Sequence, residues 1–184
     1  MADQDTPSDA SAGDDTATIK SQATVEGPML MVSAQYIKDL SVEVPGAPTV
    51  FSLMQKNQPD VSVNIDVNVQ PLQEKTFEVA LVIKANCKLA DQVAFLLELT
   101  YGGIFIINVP NEHLEPTLLI ECPRLLFPFA RNIVADSTRD AGFPPVLLSP
   151  VDFLALYQRQ KENQRNAAAA GTQGNGSGGD TTAA

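Results

Sequence analysis

Val61, Val63, Ile65, Val67 and Val69 alternate with polar residues and form the cleanest period-two run in the chain. That period is the signature of a strand with one face buried. Phe77, Val79, Leu81, Ile83 and Ala85 repeat it. Over 93–101, Val93, Phe95, Leu97, Leu99 and Tyr101 fall on one face, and Ala94, Leu96 and Glu98 on the other. A shorter alternation precedes these, with Leu40, Val42 and Val44 set against Asp39, Ser41 and Glu43. The segment Cys87–Asp91 reads as a turn, and Gly102-Gly103 reads as the end or a kink of the fourth strand. Short connections after the second strand imply an antiparallel sheet. The connection from Pro45 to Pro59 is long and carries Val50, Phe51, Leu53 and Met54. Its apolar residues predict a loop that packs on something or covers something.

The remainder changes period. Leu118, Leu119, Cys122, Leu125, Leu126, Phe129 and Ile133 recur at three- and four-residue spacings, which predicts a long helix. Pro123 and Pro128 should bend it or tighten its early turns, and Asp140-Ala141-Gly142 supplies its stop. Ser149 as N-cap, Pro150 in the first turn and Asp152 near the positive dipole end predict a second, short helix from 150 to about 161. Strands first and helices after define an α+β domain. It spans 28–162, between an acidic N-terminal arm (1–27) and an Ala- and Gly-rich flexible tail (163–184).

Apolar residues stand on nearly every side of 118–134. A helix apolar all round must be buried all round, and one small sheet cannot do that alone. The pattern therefore predicts oligomerisation through the helix and the sheet, the alternative being that the Pro45–Pro59 loop and the C-terminal helix cover this surface within one chain.

Composition narrows the function. A chain of 184 residues with 44% apolar content supports one modest core. A net charge of −10 disfavours nucleic acid and anionic membranes and suits basic partners. The two cysteines, Cys87 and Cys122, read as buried small side chains. His113 is the one histidine, so no histidine-based metal site is expected, and no cofactor. Glu112, Glu115 and Glu121 read as helix-start charge and not as a catalytic carboxylate pair. Gly102-Gly103 lacks the spacing of a phosphate loop. No enzyme is expected. No apolar run is long enough to span a bilayer. Asp3, Asp5, Asp9, Asp14 and Asp15 crowd the start where a signal peptide would be basic and apolar. The expectation is a cytoplasmic protein without direct membrane insertion.

Several motifs in one order resemble the SecB protein-export chaperones. Tyr36-Ile-Lys-Asp39 and Glu43-Val-Pro-Gly-Ala-Pro48 are similar to that family's first strand and following loop. Ala94-Phe-Leu-Leu-Glu98 with Gly102-Gly-Ile-Phe105 is similar to its fourth strand. Cys122-Pro-Arg-Leu-Leu-Phe-Pro-Phe-Ala-Arg131 is similar to the start of its long helix. Phe143-Pro-Pro and Pro150-Val-Asp-Phe-Leu-Ala-Leu-Tyr157 are similar to its linker and second helix.

The resemblance covers roughly 34–160. It implies a homotetramer built as a dimer of dimers, with Leu97, Leu99, Leu125, Leu126 and Phe129 in the oligomer interface. It implies an ATP-independent holdase that keeps secretory precursors unfolded and delivers them to the motor SecA. The zinc-binding, basic C-terminal tail of SecA would dock on Asp39, Glu43, Leu96 and Glu98, the zinc belonging to SecA. Unfolded clients would lie in a groove containing Phe51, Leu53, Phe153, Leu156 and Tyr157. The alternative from the residues alone is an oligomer that binds a small apolar ligand.

Overall fold

The computed structural model describes residues 29–172. The acidic arm expected over 1–27 and the last part of the expected tail, 173–184, lie outside them. Four strands form one antiparallel sheet: β1 (Leu30–Glu43), β2 (Pro59–Gln73), β3 (Thr76–Leu89) and β4 (Gln92–Ile107), in spatial order β1-β4-β3-β2. Their connections contain a single helical turn, α1 (Val50–Leu53), and then α2 (Asn111–Pro116) leads through a π-helical turn at Thr117–Glu121 into α3 (Cys122–Asp140). An extended linker follows, and α4 (Phe153–Thr172) ends the described chain. The expected α+β class and strand count hold.

Helix α3 packs on one face of the sheet. Val79, Leu81, Ile83 and Ala85 of β3 meet Phe95, Leu97, Leu99 and Phe105 of β4 there, all buried. Cys122, Leu126, Ala130 and Val134, spaced by four, close the core from the helix side. The odd-numbered residues of β2 pair with this buried row: Val61 with Cys87, Val63 with Ala85, Ile65 with Ile83. They point to the same face, but the helix does not reach the edge strand, so Val61, Val63 and Val69 stay exposed.

Several expectations need correction. Strand β1 begins at Leu30, well before residue 39, because register shifts at Val32/Ala34 and Ile37/Asp39 break the alternation that would have revealed it. The double glycine neither ends nor kinks β4. A Cβ on Gly102 would press on the Tyr36 ring at 3.1 Å, and one on Gly103 would meet Leu126 and Phe105 at 2.8 Å. The two glycines thus clear space on opposite faces of a continuous strand. Strand β3 runs through Cys87 to Leu89, and the tight turn falls at Ala90-Asp91, with Ala90 at φ 52°.

The helical region starts at Asn111, so His113 lies on α2 and not in a loop. The π turn precedes Pro123: Cys122 N–H reaches back five residues to the Thr117 carbonyl. A proline ring clashes with the carbonyl four residues before it in a regular helix, and a wider turn makes room. Gly142 at φ +90° stops α3 as expected. Helix α4 starts at Phe153 with Asp152 as its cap, its Oδ1 accepting from Ala155 N–H at 3.0 Å, so neither Ser149 nor Pro150 is within it. It continues to Thr172, so the first ten residues assigned to a flexible tail are helical: alanine is the best helix former.

Candidate functional site

The sheet face away from α3 is built from cross-strand rows. Directly opposed residues in an antiparallel pair share a face. One row runs Glu43–Leu96–Asn86–Ser62, the next Ser41–Glu98–Lys84–Asn64, and the third Asp39–Thr100–Val82–Asp66. Asp39, Glu43, Leu96 and Glu98, named from the sequence as a docking surface, are therefore gathered on one face by β1 and β4. The first two rows line a shallow concavity of about 560 Å³. Lys84 is the one cation in these three rows, and its Nζ donates to Glu98 Oε1 at 3.0 Å.

Behind this surface lies a residue that sequence reasoning missed. Glu78 is buried at 6% exposure, on the same face. The Tyr36 ring lies across Gly102 and its hydroxyl donates to Glu78 Oε1, while Lys38 Nζ donates to both carboxylate oxygens at 3.0 and 2.8 Å. The bonds from Lys38 and Tyr36 hold the Glu78 carboxyl below its ordinary range. Conversely, the bond to Glu78 and burial push the Tyr36 phenol up to about 12. This clip ties β1 across β4 to β3. No sequence spacing announces it, since its members are some forty residues apart.

On the other side a groove follows the β2 edge. Between β2 and α4, Ile65, Val67, Leu119, Leu156 and Tyr157, together with the polar Asp66, Asn68, Arg159 and Gln160, line a space of about 410 Å³. Val61, Val63 and Ile65 face Val146, Leu147 and Leu148 of the linker across about 450 Å³. Met54, Val61, Phe95, Phe143 and Pro145 line a further 330 Å³ or so. Ile65 is shared between the first two spaces and Val61 between the second and third, so the three follow one another along β2. The linker wall is pinned by Thr138, fully buried, whose Oγ1 accepts from Val146 N–H at 3.0 Å and donates back to Val134.

Of the five groove residues named from the sequence, Leu156 and Tyr157 line it. The Phe51 ring packs tilted against that of Phe143, centroids 5.4 Å apart, beside one end. Leu53 is half-buried against the core, and Phe153 is fully buried, edge-on to Phe127 at 5.9 Å. Both are supports and not lining. The larger part of the lining comes from β2 and the linker. The β2 alternation was visible in the sequence, but nothing in it says that β2 is an edge.

Among the five expected interface residues, Leu97, Leu99 and Leu126 are consumed by the core of a single chain. Leu125 and Phe129 are 43% and 50% exposed on the outer side of α3, with the Phe129 ring 6.4 Å from that of Tyr101. Neither cysteine offers a nucleophile: burial and the Glu121 carboxylate push the Cys122 thiol up to about 12, and burial raises Cys87 too. Among the described residues no cluster of His, Cys, Asp and Glu could hold a metal, and no helix is long and apolar enough to cross a membrane.

The sheet thus carries carboxylates on one face, a helical layer on the other, and along its edge a groove whose lining mixes apolar with polar side chains, which is the arrangement of a binding protein. The family profile described as "Preprotein translocase subunit SecB" matches residues 23–164. The protein-export protein SecB of Paramagnetospirillum magneticum is 53% identical over 140 residues, covering 76% of this chain and 90% of that protein. That of a Bradyrhizobium species is 55% identical over 147 residues, covering 79% and 89%. Among solved structures, the SecB-like chaperone of Mycobacterium tuberculosis, determined with a ChAD peptide from an antitoxin, shares the fold at a TM-score of 0.56 and 15% identity, covering 67% of this chain and 91% of that one. The chain belongs to the SecB family, and its role is that of a chaperone in protein export.

Proposed function

We propose that this chain is an ATP-independent holdase of the cytoplasm that works as a dimer of dimers. It holds unfolded secretory precursors in the β2–linker–α4 groove and passes them to SecA, whose zinc-binding tail docks on Asp39, Glu43, Leu96 and Glu98. The observation that carries this reading is the division of labour between two surfaces. Apolar surface runs along β2 and the linker and turns mixed beside α4, where Leu156 and Tyr157 stand with Arg159 and Gln160, while Asp39, Glu43 and Glu98 collect on the opposite sheet face. A groove made of three spaces in line suits an extended chain better than a compact apolar ligand. Many weak apolar contacts along one client gain affinity by multivalency, and they select for the unfolded state over any particular sequence.

Assembly is supported by what one chain leaves open. Leu125 and Phe129 project from α3, and Met31, Ile37 and Leu40 are exposed along the edge strand β1. An edge with apolar residues invites pairing with another chain.

A slow-folding secretory precursor diluted from denaturant tests the reading. Without nucleotide, near one tetramer per client, its refolding should be arrested; folding at its own rate would refute the holdase function. Reversal of Asp39 or Glu98 to lysine should weaken SecA binding while leaving client arrest intact.

A further inference from the structure

Lys84 stands among the carboxylates assigned to docking. Three cross-strand rows of the outer face carry Asp39, Glu43, Asp66 and Glu98 against Lys84, while the other lysines of that face stand elsewhere, Lys38 on Glu78 and Lys88 in the row of Asp60. The Lys84 ammonium does not point away from the acids. It sits 3.0 Å from Glu98, a residue assigned above to docking, and both side chains are about half exposed. Beside them, Asn86 Oδ1 is buried and accepts no hydrogen bond from any described residue. Asn86 and Lys84 line the same concavity as Glu43, Leu96 and Glu98.

We infer that Lys84 is an internal competitor for the docking partner: in the free protein it occupies Glu98, and a basic, extended segment must displace it to bind. This rests on the reading that Glu98 takes a basic partner. A lysine or arginine of the incoming segment that reaches Glu98 meets the Lys84 ammonium already there, and two cations cannot both sit within contact distance of one carboxylate without repulsion. The displaced lysine is long and half exposed, so it can swing into solvent, which keeps the cost small. The pair thereby tunes affinity downward and favours release.

The test is a titration of the full chain with the zinc-loaded C-terminal tail peptide of SecA at low salt. Lys84→Gln should tighten binding about two- to fivefold, the range of an exposed ion pair. Lys56→Gln, an equal charge change in an exposed loop away from this face, controls for net charge and should leave affinity unchanged. In a Glu98→Gln background the Lys84→Gln gain should vanish, because the two residues would then act as one unit. If Lys84→Gln binds equally or more weakly while Glu98→Gln still weakens binding, the competitor role is overturned and the docking surface stands. If Glu98→Gln binds as the parent does, the docking reading falls and takes this inference with it.

Discussion

Replacing Gly103 by alanine tests how closely α3 sits on the sheet. The added Cβ would lie 2.8 Å from Leu126 Cδ2 and 2.8 Å from the Phe105 ring. Comfortable carbon contacts begin near about 3.5 Å, so each neighbour must retreat by roughly 0.7 Å. Neither has room, since Leu126 and Phe105 are both 0% exposed. Overpacking of this kind costs about 1–3 kcal/mol. The alanine also restricts the unfolded chain, which returns about 0.4–1 kcal/mol. The net is a loss within about 0–2.6 kcal/mol, centred on ~1.3 kcal/mol, a fall in Tm of about 3–5 °C.

Gly102→Ala provides the contrast. Its Cβ meets the half-buried Tyr36 ring at 3.1 Å, a tight contact that the ring can relax, so the loss should be smaller. Urea unfolding at one fixed protein concentration is the assay, because assembly would otherwise shift the midpoint. Leu126→Ala alone should cost about 2–5 kcal/mol. Combined with Gly103→Ala it should cost less than the sum by at least about 0.5 kcal/mol, since the Cβ then fills part of the space. A Gly103→Ala midpoint at or above the parent's, or a larger loss for Gly102→Ala, would refute the account of the double glycine.

The remaining predictions concern the clip and the linker. Because Lys38 and Tyr36 lower the Glu78 pKa, its stabilising contribution is complete above the unfolded carboxyl value near about 4.3 and is lost as pH falls through the folded value. The stability gap between parent and Glu78→Gln should therefore close on acidification; a gap that widens would reverse the sign. Tyr36, raised to about 12, contributes stability below the ordinary phenol value near about 10 that is lost as pH climbs toward 12. Tyr36→Phe should flatten that alkaline limb in a pH series of urea midpoints. Thr138→Val removes the acceptor of Val146 N–H from a fully buried site and should cost about 1–3 kcal/mol. Faster amide exchange at Val146 and weaker client arrest would follow if the linker is a groove wall, and unchanged arrest would remove it from that role.

Local pattern determined much of this protein. Period-two runs mark β2, β3 and β4, and three- and four-residue spacings mark α3, because alternation and helical period are properties of the chain itself. The alternation also assigned Asp39, Glu43, Leu96 and Glu98 to consistent faces before the strands were paired. The motifs placed the chain beside the SecB chaperones. Tertiary structure decided everything that depends on neighbours. Edge position is one case: β2 reads like a buried strand, yet the order β1-β4-β3-β2 leaves its apolar row to form the groove. The register shifts in β1 hid its first half, since a one-residue slip inverts every later side chain. Leu125 and Leu126 are adjacent leucines in one helix, and only the approach of α3 at Gly103 makes one core and the other surface. The Tyr36–Glu78–Lys38 clip and the Lys84–Glu98 pair were invisible for the same reason: each joins strands whose contact is set by the register, and no local spacing encodes a register.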